Sequence, residues 1–264
     1  MTETTLPPET VCAPAQGRAV LRVTGEERLT FLQGQVTQDI NRVTRDGIAY
    51  GAMLTPQGKL LADFLMINAG DAVLIDVADS IADGLLQRLM MFKLRAKVSI
   101  MREDMAITRG LGTMPIGALP DPRHPSLGWR LYGSTLTQGA PIDWDALRIA
   151  ARVPETGAEL QPGESFILEL DFERLNGVDF RKGCFVGQEV TARMHHKTEL
   201  RRGLMRVAVS SPVPPGTTVT NDAGKVVGTV YTQSNGQGLA LLRVDRLDGD
   251  LRAGEAQVKV LSHT

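Results

Sequence analysis

The chain has 264 residues, 42% hydrophobic and 22% charged, an ordinary globular composition that excludes a disordered chain, a collagen-like repeat and a coiled coil. With 29 basic against 30 acidic residues, a net charge of −1 gives no long-range pull on nucleic acid or an anionic membrane, and 5% aromatics leave few platforms for stacking bases. Two cysteines, Cys12 and Cys184, are too few for a disulfide framework or a closed zinc site, which points to a reducing compartment and at most one chemical thiol.

No stretch approaches the roughly 20 apolar residues needed to cross a bilayer. Residues 1–14 carry Glu3, Glu9 and prolines but no basic residue, unlike a signal or transit peptide, and read as a short frayed arm, holding Cys12, on a cytoplasmic protein. A helix is expected from Thr24, capped by its hydroxyl with Glu27 reaching back, through Leu29 and Leu32 towards Gly34. The amide-rich tail that follows reads either as a polar loop or as a pocket wall formed by Gln35, Thr37 and Gln38.

Ile48 to Leu54 and Leu60 to Ile67, separated by Thr55-Pro56-Gln57-Gly58, predict a β-hairpin, and Ala72 to Val77 a third strand. Ser80 would cap a helix whose apolar positions Ile81, Leu85, Leu89 and Phe92 share one face, with a strand resuming at Val98 to Met101. Met90, Met91 and Met101 read as core filling. Arg109 to Trp129 is rich in Gly and Pro and reads as loop. Asp143 is placed to cap a short helix that Pro154 ends. Beyond Arg202, five short strands divided by Gly, Pro and Asn signals predict a small antiparallel barrel.

Reactive chemistry concentrates between Asp179 and Lys197. Arg181 and Lys182 precede Cys184, Gly183 and Gly187 leave the backbone bare on either side, and Val186 to Met194 can form a helix. Cations and a helix start favour the thiolate; the competing reading is a small buried hydrophobe between Gly and Phe. His195 and His196 invite a metal reading, but adjacent helical residues point in different directions, so one ion is not expected to take both. Asp63 and Glu169 each sit in an apolar run. Each is either a ligand-binding acid or simply the solvent-facing position of an alternating strand.

Lys182-Gly183-Cys184-Phe185-Val186-Gly187-Gln188-Glu189, followed by Thr191-Ala192-Arg193 and His195-His196, resembles the signature of the YgfZ-type folate-binding proteins of iron–sulfur cluster assembly, in their paired-histidine mitochondrial branch. Phe31 to Asp39, Leu168-Glu169 and Asn176-Gly177-Val178 match the same family in order. The resemblance implies an α+β, three-domain fold shared with the glycine-cleavage T-protein, an aminomethyltransferase. Residues 1–41 and 109–198 would form a discontinuous folate-binding domain, 42–108 an inserted α+β domain, and 199–264 the C-terminal barrel. It further implies an accessory factor for four-iron cluster proteins that works through Cys184. Arg181 and Lys182 would poise the thiolate, Gln188 and Glu189 orient the loop, and Asp63, Glu169 and Gln35 hold tetrahydrofolate or a derivative. A shared cluster held transiently by Cys184 and His195 or His196 belongs to the same reading. The implied partners are assembly carriers or scaffolds and client enzymes, with no membrane and no direct nucleic acid; effects on tRNA modification would be indirect. The rival is a folate-dependent one-carbon transferase. Against it, Ala62 replaces one acid of the T-protein's paired aspartates.

Overall fold

The computed structural model describes residues 9–197 and 200–262, and the chain divides into two compact units. The expectation of a frayed start falls, over residues 1–8, outside the described residues. From Val11 onward it does not hold: β1 (Val11–Pro14) pairs antiparallel with β7 (Ile107–Leu111), and Cys12 is buried.

The first unit takes residues 1–56, 61–142 and 175–186. After β2 (Arg18–Thr24) come α1 (Arg28–Gln35) and α2 (Asn41–Asp46), then β3 (Ile48–Leu54), β4 (Leu60–Asn68), β5 (Ala72–Ala78), α3 (Asp79–Lys93) and β6 (Ser99–Glu103). The strands form a five-stranded sheet in the order β3-β4-β5-β2-β6. Thr24 thus ends a strand and caps nothing; the residue before α1 is Glu27, with no side-chain cap. One face of the sheet is the core. Leu21 and Val23, Ala62, Phe64 and Met66, and Val73, Ile75 and Val77 meet Phe31 and Leu32 of α1 and Ala82, Leu85 and Leu89 of α3. The period of two puts their neighbours on the other face, which is buried as well, as the unbroken burial of β3 and β5 shows.

Most of Arg109 to Trp129 is loop as expected, but short strands run into and through it. A second sheet, β1-β7-β9-β8, includes β8 (Leu119–Pro120) and β9 (Trp129–Tyr132). Gly110 is needed where it stands, because a Cβ there would lie 2.2 Å from the Trp129 ring. The methionine expectation fails: Met90, Met91 and Met101 are 46%, 63% and 56% exposed, on the sides of α3 and β6 turned from the core.

The second unit takes residues 57–60, 143–174 and 187–264. Asp143 caps α4 (Trp144–Ala151), accepting from the Ala146 amide at 2.8 Å. Residues Ile167–Leu170 form a 3-10 turn and α5 spans Gln188–Lys197. Six strands close an antiparallel barrel in the order β10-β13-β12-β11-β14-β15: β10 (Arg202–Val209), β11 (Thr217–Asn221), β12 (Val226–Ser234), β13 (Gln237–Arg243), β14 (Leu251–Ala253) and β15 (Ala256–Ser262). β14 is the strand the sequence pattern omits, being only three residues long. Asn235-Gly236 turns β12 into β13 with both residues at positive φ, as a tight hairpin requires.

Candidate functional site

The amide-rich segment at the end of α1 and the segment leading to Cys184, whose contacts join residues 138 to 149 positions apart, are laced together within the first unit. The Thr37 hydroxyl donates to Gly177 O at 2.6 Å and accepts from the Ala52 amide at 2.9 Å, while the Asp179 amide donates to Thr37 O at 3.0 Å. Gln38 Nε2 donates to Asn176 O at 2.6 Å, and Gln33 Nε2 to Lys182 O at 3.0 Å. In return the Lys182 ammonium donates to Gln33 O and, at 2.9 Å, to Val36 O. A cation on the last carbonyls of α1 is placed favourably against the helix dipole. Thr37 and Gln38, 0% and 1% exposed, are therefore not pocket walls; they brace the backbone that carries the cysteine. Gln33, which composition did not single out, is the centre of this clasp, since its Oε1 also accepts from the Ile40 amide.

Beyond the clasp, Gly183 turns with φ +99°, a region open to glycine, and nothing lies within 4 Å of where its Cβ would be. Phe185 is buried and anchors the far side of the turn, with the Lys182 nitrogen 5.1 Å from its ring centroid. Cys184 between these anchors is a free, exposed thiol, so the reading of it as a buried hydrophobe fails. Burial lowers the Lys182 pKa to about 8, opposed by the negative charges of Asp39, Asp179 and Cys184. Arg181 points into solvent, 93% exposed, 3.8 Å from Asp179.

Asp63 is 5% exposed, on the sheet face opposite the main core, where Tyr50 donates to its Oδ2 at 3.1 Å. Solvent-facing alternation does not describe it, because both faces of β4 are covered. Burial, followed by the Asp63 charge, pushes the Tyr50 phenol well above its ordinary pKa, so it stays a donor. Arg123 stands 5.6 Å over the Tyr50 ring and is tied to Asp121 at 2.7 Å. On the same face Asp76 takes Arg18 at 2.6 Å, Arg130 at 3.1 Å and the Tyr132 hydroxyl at 2.9 Å. This layer of three arginines and three aspartates had no signature in the sequence, its members being scattered from residue 18 to 130. Gln35, in the same unit, has a buried Oε1 with no hydrogen-bond partner among the described residues.

The second unit holds the rest. Glu169 is 8% exposed, not solvent-facing, and takes a two-pronged pair from Arg202 at 3.0 and 3.2 Å. Gly187, at φ +84°, accepts from the Thr191 amide and hydroxyl as α5 begins. Gln188 and Glu189 occupy the first turn of that helix, Glu189 exposed. His195 and His196 near its end do approach each other, their Nδ1 atoms 3.2 Å apart, and His195 Nε2 lies 3.1 Å from Glu173. Among the described residues no three His, Cys, Asp or Glu side chains cluster as a metal site, and no helix is long and apolar enough to cross a membrane.

Residues 201–263 match the family model of the CAF17 C-terminal β-barrel domain. The human mitochondrial iron–sulfur cluster assembly factor IBA57 is 31% identical over 94% of this chain and 82% of its own length. The mouse protein of the same name is 28% identical over 96% and 83%. In fold, the chain is similar to the crystal structure of glycine cleavage system aminomethyltransferase T from Bartonella henselae, with a TM-score of 0.75 and 12% identity over 96% of this chain and 85% of that one. This bears out the α+β T-protein-like fold with its closed C-terminal barrel. The cytoplasmic expectation is overturned, since these relatives are named as mitochondrial; it rested on the lack of basic residues in 1–14, and where a sequence begins is no measure of compartment. With that identity holding over nearly its whole length, the chain belongs to the IBA57 family of iron–sulfur cluster assembly factors.

Proposed function

We propose that this protein assists the assembly or repair of four-iron cluster proteins through the thiol of Cys184, with a reduced folate bound by the same chain. The observation that carries the reading is the exposed cysteine on a loop pinned from both sides, by the Lys182–Gln33 clasp and by buried Phe185. A thiol held on a pinned loop can release its proton to solvent, and the resulting thiolate can donate a lone pair to cluster iron presented by a partner. The partners are the carrier or scaffold that brings the cluster and the enzymes that receive it.

The folate part of the proposal is supported by donor chemistry. The ring edge of an aminopterin offers N–H donors, which call for acceptors. In the first unit Gln35 Oε1 is a buried acceptor with no hydrogen-bond partner among the described residues, and in the second unit each Glu169 oxygen keeps a lone pair beyond its bond to Arg202. In the first unit Asp63, buried and held by Tyr50, offers a further acceptor. Fluorescence titration with tetrahydrofolate should give a dissociation constant that rises at least tenfold in Gln35→Leu and in Glu169→Gln; unchanged affinity in both would remove folate from the proposal.

The cluster role is tested in cells whose own factor has been deleted. Cys184→Ala should fold as the native chain yet leave four-iron enzymes inactive, and full restoration of those enzymes by the variant would sink the thiol mechanism. A one-carbon transferase built on Asp63 is the second reading, favoured by the burial of that carboxylate in a T-protein fold. It requires turnover of an aminomethyl or methyl donor, lost in Asp63→Asn and kept in Cys184→Ala.

A further inference from the structure

The last turn of α3 presents apolar residues outward. Met90, Met91 and Leu94 are exposed, Leu94 most of all at 86%, while the helix packs on the core through Ala82, Leu85 and Leu89. Leu94 is also held in a conformation that leucine does not favour. With φ +45° and ψ −108° it takes the first central position of a type II′ turn, closed by the Ala96 amide donating to Lys93 O at 2.8 Å, a position that glycine ordinarily fills. Burial would account for a leucine under that strain, but this side chain lies in solvent. Neither the backbone nor the core of the chain calls for leucine there.

Arg88 stands three residues before Met91 on the same side of the helix, and Lys93 and Arg95 flank Leu94. None of these three cations makes a salt bridge or side-chain hydrogen bond among the described residues. Their neighbours are answered within the chain, Lys97 by Glu26 at 2.5 Å and Arg102 by Asp83 at 3.0 Å and by Asp79. An apolar tip ringed by uncompensated cations is complementary to an apolar spot ringed by carboxylates. The other end of α3 decides between a protein and a lipid surface. Asp79 and Asp83 are exposed there, so a flat anionic membrane laid along the helix would meet acids as well as bases. The turn also lacks the Trp and Tyr that anchor at a headgroup layer. A discrete acidic epitope meets the basic end alone. Two-fold pairing of α3 with a second copy would set the apolar tip against carboxylates that Arg102 already neutralises, which fits less well.

We propose that the C-terminal turn of α3, from Arg88 to Arg95, is a docking surface for a partner protein that offers an apolar contact inside an acidic rim. Met91 and Leu94 are the anchors, and Arg88, Lys93 and Arg95 select and orient the partner. The strained turn holds Leu94 out from the helix end, where binding covers it. The surface needs neither the Cys184 thiol nor folate, so it stands or falls apart from the assembly role.

The experiment is fluorescence anisotropy of the whole chain with a labelled amphipathic peptide of about 16 residues, leucine on its apolar face and glutamate at every other position. The peptide should bind, with affinity that falls as salt is added and that drops about tenfold or more when every glutamate is replaced by glutamine. The triple variant Arg88→Glu, Lys93→Glu, Arg95→Glu should lose about tenfold or more in affinity for the glutamate peptide. Leu94→Gly should lose a similar factor yet melt about 2–4 °C higher, since glycine relieves the turn. A leucine with a merely structural role would instead melt lower on replacement and leave binding unchanged. No binding of the glutamate peptide, or undiminished affinity in both variants, would overturn the proposal. So would binding of the native chain to vesicles of equal phosphatidylserine and phosphatidylcholine, or its dimerisation in sedimentation, if the same variants abolish it, because each identifies a different occupant.

Discussion

Lys182 is a cation kept against carbonyl oxygens in a half-buried place, and its pKa of about 8 reports the strain of that position. In the unfolded chain the amine holds its proton to the ordinary lysine range, so between pH 8 and that range the unfolded state binds more protons and folding stability rises with pH. Urea midpoints measured across this window should climb more steeply for the native chain than for Lys182→Met, which has no proton to lose there. Equal slopes would show that the amine is not confined as described. Tyr50→Phe should cost about 1.5–3 kcal/mol in chemical denaturation, because it removes a hydrogen bond to a buried carboxylate. Gly183→Ala meets no atom within 4 Å, so its penalty is the backbone's alone, roughly 1–2 kcal/mol for a positive φ.

Among the elements, β5 is the one on which two sheets converge. Its Asp76 accepts from Arg18 of β2 in its own sheet and from Arg130 and Tyr132 of β9 in the other. Burial alone would raise its pKa; the two guanidinium groups outweigh that and hold it below the ordinary aspartate value. The stability so gained is present above the usual aspartate range and is lost as pH falls through the lowered folded-state value. Asp76→Asn leaves two arginines facing an uncharged group and should destabilise by about 3–5 kcal/mol in thermal or urea unfolding near neutral pH. A change below 1 kcal/mol would mean that solvent replaces the carboxylate with little loss. Much of this level was readable from residue order. The turn after Leu54, the Asp143 cap and the Asn235-Gly236 hairpin follow local rules that leave the chain few alternatives. β7 and β9 were not readable, since they are short and border a run of glycines and prolines that signals turns unless a partner strand is known. The exposed face of α3 was not either, because an apolar side chain such as Met91 says nothing of whether another element covers it.

For the molecule as a whole, stability and cluster chemistry should separate at the cysteine. Cys184 is exposed, so Cys184→Ala should change unfolding free energy by less than about 0.5 kcal/mol while abolishing cluster-dependent activity; a large loss of stability would instead make the thiol a packing group. The motif around Cys184 and the closing barrel were legible along the chain, because glycine turns and strand alternation act over a few residues, whereas the T-protein-like fold followed only from the family resemblance that the motif carries. What surrounds each functional group was not. The clasp of Gln33 on Lys182 spans 149 positions, the charges gathered about Asp76 come from three strands, and Asp63 is covered on a face that alternation alone assigns to water. Short-range spacing tells which way a side chain leaves its own element; what it then meets depends on the long-range closure of the chain.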